Sequence, residues 1–204
     1  MLAEKLNPAP ARASAGESRF VLEDVPWWAY VALRDALDHR AGLKMTYLEG
    51  TLELMSPSDA HEEAKKVIAR LVETWAVEKN VDLRGFGSTT FRREAKKRGL
   101  EPDECYILGP LPEDGVPDIA IEVIVSNPLV DKMAVYAGLG VREVWARHVE
   151  AGTLQIHHLM GDQYEPVARS QVVPELDIGQ LSSLVKLGGN QTALVRAYQA
   201  ALRG

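Results

Sequence analysis

A single charged side chain interrupts the apolar run Ile119-Ala120-Ile121-Glu122-Val123-Ile124-Val125. A continuous Ile/Val-rich run reads as a central strand covered on both faces. A carboxylate buried there loses several kcal/mol of hydration unless a cation or hydrogen-bond donor compensates, so Glu122 needs a partner, and a metal ion is one that would serve. A second acid is placed by spacing. Asp103 to Leu108 and Asp118 to Val125 are strand-like and flank the Pro- and Gly-containing loop 109–116. An antiparallel pairing centred between Pro112 and Glu113 sets Asp103 opposite Glu122, with Cβ atoms about 4.5–5.5 Å apart. Two carboxylates at that separation repel, and a divalent cation turns the repulsion into attraction.

Lys132 is the third member of the group. Lys132, Tyr136 and Leu139 recur at helical spacing, which puts the lysine near the face that packs on the sheet. Its stem can snorkel to solvent, or its ammonium can reach the acids and offset the charge that builds up in phosphoryl transfer. Carboxylates and water suit Mg²⁺ or Mn²⁺. With the metal activating the attacking water and Lys132 stabilising the transition state, the set is equipped to hydrolyse a phosphodiester. On this reading Lys132 serves the reaction alone, and its loss should leave stability nearly unchanged.

Other candidates are weaker. Asp118 shares a strand face with Glu122 but lies about 13 Å away at about 3.3 Å per residue, a rim or strand-capping position. His61 opens a helix without a second histidine four residues on, so it is no zinc-protease helix; it is a surface histidine or a water or phosphate contact. Glu53 alternates with Leu52 and Leu54, which favours an exposed strand position over an accessory carboxylate. Arg92, Arg93, Lys96, Lys97 and Arg98 form a basic cluster that either tracks a phosphate backbone or is a solvated loop. His157 and His158 are neighbours on a strand and point to opposite faces, so they cannot readily share a metal. The lone Cys105 reads as a small buried hydrophobe.

The elements that must position these residues follow from pattern. Residues 1–18 lack hydrophobic periodicity and read as a disordered tail, leaving one domain over 19–204. Val25-Pro26 opens an amphipathic helix ending near Gly42, in which Trp27 and Trp28 look like packing anchors. Lys44 to Met55 reads as a hairpin around Glu49-Gly50, and Ser58 caps a long helix from about Asp59 to Lys79. Short strands follow near Val81–Phe86 and Thr89–Arg93, then a solvated loop over 95–99. Asn127-Pro128 signals a helix closed by Gly140, and Val141 to Trp145 is the next strand, completing a crossover that is right-handed and parallel in nearly all cases. Strands near Leu154–Leu159 and Tyr164–Ala168 and a helix near Gln191–Leu202 end the chain.

Composition excludes several classes. The chain has 204 residues, 46% of them hydrophobic, and no apolar stretch of the roughly 20 residues a membrane helix needs. No secretory signal is apparent, and the expected location is the cytoplasm. A net charge of −6 and a pI near 5.4 argue against nonspecific coating of nucleic acid, which rests on many Lys and Arg phosphate contacts.

Pro102-Asp103 followed by Glu122 resembles the PD-(D/E)xK pattern of restriction-endonuclease-like nucleases. More closely, Tyr47-Leu48-Glu49-Gly50, Met55-Ser56-Pro57-Ser58, His61, Glu122-Val123, Ser126, Lys132, Tyr136 and Gly140-Val141-Arg142-Glu143-Val144-Trp145 resemble a family of small bacterial proteins described as restriction endonucleases. The resemblance spans about Trp27 to His148. It implies an α/β fold with a mixed β-sheet flanked by helices, here with an extra N-terminal helix and hairpin. It also implies Asp103 and Glu122 as ligands of Mg²⁺ or Mn²⁺, and a histidine recurring at the place of His61. One departure is that the pattern puts a lysine two residues after the acid, where this chain has Ile124; the resembling family generally lacks it too, and Lys132 is the replacement. The expected activity is metal-dependent hydrolysis of nucleic acid, DNA in preference to RNA, by a homodimer. The alternatives are a catalytically silent module binding nucleic acid or a protein, and, more remotely, a small-molecule phosphodiesterase.

Overall fold

The computed structural model describes residues 16–37, 42–87, 89–128 and 130–204. Among them, the strands are β1 (Ser18–Leu22), β2 (Lys44–Leu48), β3 (Thr51–Ser56), β4 (Leu83–Phe86), β5 (Phe91–Arg93), β6 (Arg98–Leu100), β7 (Glu104–Leu108), β8 (Ile119–Ile124), β9 (Glu143–His148), β10 (Thr153–Met160) and β11 (Gln163–Val167). The helices are α1 (Trp27–Leu37), α2 (Asp59–Glu78), α3 (Lys132–Leu139), α4 (Ile178–Leu184) and α5 (Gln191–Arg203). They build a mixed α/β fold with two sheets, ordered β11-β10-β9-β8-β7-β4 and β1-β3-β2-β6-β5. The hairpin expected as an appendage to one sheet is instead the centre of the second. No helix among the described residues is long and apolar enough to cross a membrane.

The Ser58 hydroxyl accepts the His61 backbone N–H at 3.2 Å and so caps α2. Ala64, Val67, Ile68, Leu71, Val72 and Trp75 recur at helical spacing and all are buried, so α2 lays one apolar stripe on the six-stranded sheet. Strand β8 is central there, and its side chains alternate between faces. Ile119, Ile121 and Val123 join the core made by α2, α4 and α5. Ala120 joins Val135, Tyr136 and Leu139 of α3 and Leu100 of β6 in a second core. Glu122 belongs to this second set by parity, and its side chain meets α3. The pairing of β8 with β9 is parallel, with Glu122 beside Ala146, which makes β8-α3-β9 the expected crossover.

The expectations differ from the fold in several places. Helix α3 begins at Lys132, not after Asn127-Pro128, because Asp131 is the competent cap next to the apolar run: its Oδ1 accepts the Ala134 N–H at 3.0 Å. Gly140 closes α3 at φ +89° as expected. The supposed loop 95–99 contains a 3-10 turn, Glu94–Lys96, and the start of β6. Lys97 turns the chain at φ +48°, and Gly99 carries β6 across the Tyr30 ring, where a Cβ would stand 2.4 Å from the hydroxyl. Of the expected tail, residues 1–15 lie outside the described residues, while Ser18 opens β1, which pairs with β3. Trp27 packs on Tyr30 and Tyr47, but Trp28 is 72% exposed and anchors nothing. Neither β1 nor α4 was foreseen.

Candidate active site

The β7–β8 hairpin pairs Glu104 with Ile121, Cys105 with Ala120 and Tyr106 with Ile119, the register expected from the loop centre; one further step sets Asp103 against Glu122. Strand β7 begins at Glu104, and the Asp103 side chain takes over the edge of β8: Oδ2 accepts the Val123 N–H at 2.7 Å, while the Asp103 N–H donates to Ile121 O at 3.1 Å. Lys44, at the start of β2, donates to Asp103 Oδ1. His61, in the first turn of α2, places Nε2 3.1 Å from Oδ2. Asp103 and His61 are both fully buried.

Glu122 is held from α3. Lys132 Nζ donates to Oε2 at 2.6 Å and the Tyr136 hydroxyl donates to Oε1. These two residues stand one helical turn apart and face the sheet together. Burial pulls the Lys132 ammonium down, but the charges of Glu122 and Asp103 outweigh it and hold it above its ordinary range. Burial, reinforced by Glu122 and Asp103, pushes the Tyr136 phenol well up, so it remains a donor. At Asp103 burial opposes ionisation, yet Lys44, His61 and Lys132 overcome it and keep the carboxyl well below the usual range. Burial also opposes the His61 imidazolium, but Asp103 and Glu62 more than compensate and raise it to about 9.

Beside Glu122 lies a cavity of about 310 Å³, bounded by Arg19, Ile124, Lys132, Met133 and Tyr136 among others. Arg19, on β1, pairs with Glu53 at 2.7 Å, and both side chains are buried. Glu53 is therefore not the exposed strand residue that alternation favours: it is buried, and the neighbouring strand β1 supplies its counter-charge through Arg19. His61 is likewise no surface residue.

The structure leaves other candidates outside this group. Asp118 caps the far end of the hairpin, accepting the Leu108 N–H at 2.9 Å and pairing with Arg142 at 2.9 Å. Arg92 pairs with Asp35 at 3.2 Å on the surface. Arg98 donates to Ala134 O at 2.6 Å and pairs with Glu49 at 3.1 Å, so it ties β6 to α3. Arg93 is half-buried, whereas Lys96 and Lys97 are exposed. Cys105 is buried, and burial raises its thiol to about 12. His158 lies 3.3 Å from Glu143. Sequence reasoning missed Lys44, Arg19 and the bond made by Tyr136. Tyr136 carried a usable signal in its i+4 spacing from Lys132; Lys44 and Arg19 come from a different sheet and carried none.

Among the described residues no group of three or more His, Cys, Asp or Glu side chains is placed to hold a metal ion. Mg²⁺ is commonly bound through only one or two carboxylates, with waters completing its shell. Asp103 and Glu122 fit that donor requirement, and the lysine ammonium groups on their oxygens are the cations with which a metal would share them.

No curated protein matches the chain. A solved structure described as a putative nuclease belonging to DUF820, from Anabaena variabilis ATCC 29413, is similar at 15% identity and a TM-score of 0.48, over 70% of this chain and 91% of that one. The family model Uma2, described as putative restriction endonuclease, matches residues 29–186, a span that holds Lys44, Glu53, His61, Asp103, Glu122, Lys132 and Tyr136 and most of the chain, and the protein belongs to that family.

Proposed function

We propose that this protein is a nuclease that hydrolyses phosphodiester bonds of nucleic acid with Mg²⁺ or Mn²⁺ held by Asp103 and Glu122. The observation that carries this reading is the pair of buried carboxylates at the end of the β7–β8 hairpin, both felt by Lys132 at the wall of a cavity. When bound, the metal would supply Lewis acidity toward the phosphate and its attacking water. The chain's own groups do the rest. His61 and the Val123 N–H fix the Asp103 carboxylate, and Tyr136 fixes Glu122. Lys132 carries a positive charge toward the cavity, where it offsets negative charge growing on the phosphoryl oxygens. Arg19 adds a second cation to the same wall. The family description favours DNA over RNA as substrate. A duplex cut on both strands calls for two copies, and Trp28, with Phe20 at 61% exposure, offers apolar surface for a homodimer.

A second reading, a silent nuclease-fold module that binds nucleic acid or a protein, is favoured by one observation: every oxygen of Asp103 and Glu122 already has a partner in the chain. Plasmid nicking separates the two. The nuclease nicks supercoiled DNA with Mn²⁺ and loses that activity in Glu122→Gln. Folded protein that cuts neither DNA nor RNA with either metal is the silent module.

A further inference from the structure

The loop leaving β8 carries an arrangement that the two central carboxylates do not require. One oxygen, Oε2 of Glu17, accepts the Ser126 backbone N–H at 3.1 Å, the Ser126 hydroxyl at 2.6 Å and Arg19 Nη2 at 3.2 Å. The same guanidinium donates to Ser126 Oγ at 3.0 Å and Ser126 O at 3.2 Å, and pairs with Glu53. The Arg19 side chain is 8% exposed and that of Glu17 1%. Glu17 Oε1 is buried with no partner among the described residues, so within them the carboxylate uses one oxygen three times and leaves the other unsatisfied, a poor match between occupant and seat.

A backbone N–H, a hydroxyl and a guanidinium are the donors by which proteins hold phosphate. Arg19 also walls the cavity containing Glu122 and Lys132, so the seat adjoins the place where a scissile phosphate would lie. We infer that Arg19 and Ser126 form a subsite for the phosphate next to the scissile one, and that the Glu17 carboxylate occupies it until substrate displaces it. A phosphodiester carries the same single negative charge as the carboxylate it replaces, so the exchange preserves the local charge balance. Glu17 and Arg19 precede the span 29–186 matched by the family model, whereas Ser126 lies within it. The nucleic-acid identity of the ligand rests on the nuclease reading, whereas the anion chemistry does not.

Inorganic phosphate is the probe, titrated by thermal shift in EDTA against wild type, Glu17→Ala and Glu17→Ala/Ser126→Ala, with Glu17→Gln as the isosteric variant should the alanine form fold poorly. Emptying the seat should tighten phosphate binding roughly tenfold, the scale of one hydrogen bond to a charged group, and removing the Ser126 hydroxyl should abolish most of that gain. A fluorescent dT12 oligonucleotide should bind more tightly in the same order. Equal phosphate affinity in wild type and both Glu17 variants, or a gain that survives Ser126→Ala, overturns the subsite even if the protein cuts DNA. A phosphate gain that depends on Ser126, in protein that cuts nothing, upholds the seat and overturns the nuclease reading.

Discussion

Replacing Lys132 by methionine keeps the stem that packs against the sheet and removes only the ammonium. Glu122, 4% exposed, then retains the Tyr136 hydroxyl as its one side-chain partner among the described residues. Breaking a buried ion pair by deleting one member typically costs about 3–5 kcal/mol. For a chain of this size each kcal/mol moves the melting temperature by about 2–4 °C, so Lys132→Met should melt roughly 6–20 °C below wild type in EDTA. This reverses the sequence-based expectation that Lys132 could be lost without structural cost. Urea denaturation monitored by tryptophan fluorescence, with calorimetry alongside, measures the change. Adding Glu122→Gln removes the stranded charge, and the double variant should recover much of the loss, with a coupling of about 1–3 kcal/mol. Mn²⁺ should stabilise Lys132→Met more than wild type, because the metal would replace the missing cation. A melting temperature within about 2 °C of wild type, or strictly additive single and double variants, would refute the claim that the buried Lys132–Glu122 pair stabilises the fold.

Three further outcomes are expected. The His61 pKa is raised from 6.5 to about 9, so the stability it draws from Asp103 is full below pH 6.5 and lost as pH rises through about 9; the depressed pKa of Asp103 carries that contribution down past the ordinary Asp range of about 4. The stability difference between wild type and His61→Asn should therefore shrink between about pH 6 and pH 10, and a flat difference across that range contradicts the pairing. In Gly138→Ala the new Cβ would come within 2.2 Å of Arg98 Nη1, expelling the guanidinium from Ala134 O at a cost of about 1–3 kcal/mol; unchanged urea stability would show that Arg98 relaxes freely. Glu143→Gln puts an amide donor among the Trp145, Ser170, Gln171 and Val172 donors that Glu143 accepts, and should cost about 1–3 kcal/mol; hydrogen exchange that stays slow over residues 170–173 in the variant is the contrary result.

Local physics made part of this protein legible in its sequence. The Ser58 cap and the stripe Ala64 to Trp75 specify α2, Glu49-Gly50 specifies a two-residue hairpin turn, and the lone acid in an apolar run marks Glu122. The symmetry of the 109–116 loop was enough to pair Asp103 with Glu122, because a hairpin's register is set by its turn, and the i, i+4 spacing brought Lys132 and Tyr136 to one face of α3. What only the tertiary structure decided is how the charges are compensated. Lys44 reaches Asp103 from the second sheet, 59 residues away, and Arg19 reaches Glu53 from the neighbouring strand of that sheet, 34 residues away, and no periodicity encodes either approach. Glu53 has the alternation of an exposed strand residue and is nonetheless buried, with Arg19 of the neighbouring strand β1 as its counter-charge. The cost of burying a carboxylate is written in the local sequence, whereas the cation that offsets it can come from any segment the fold brings within about 3 Å.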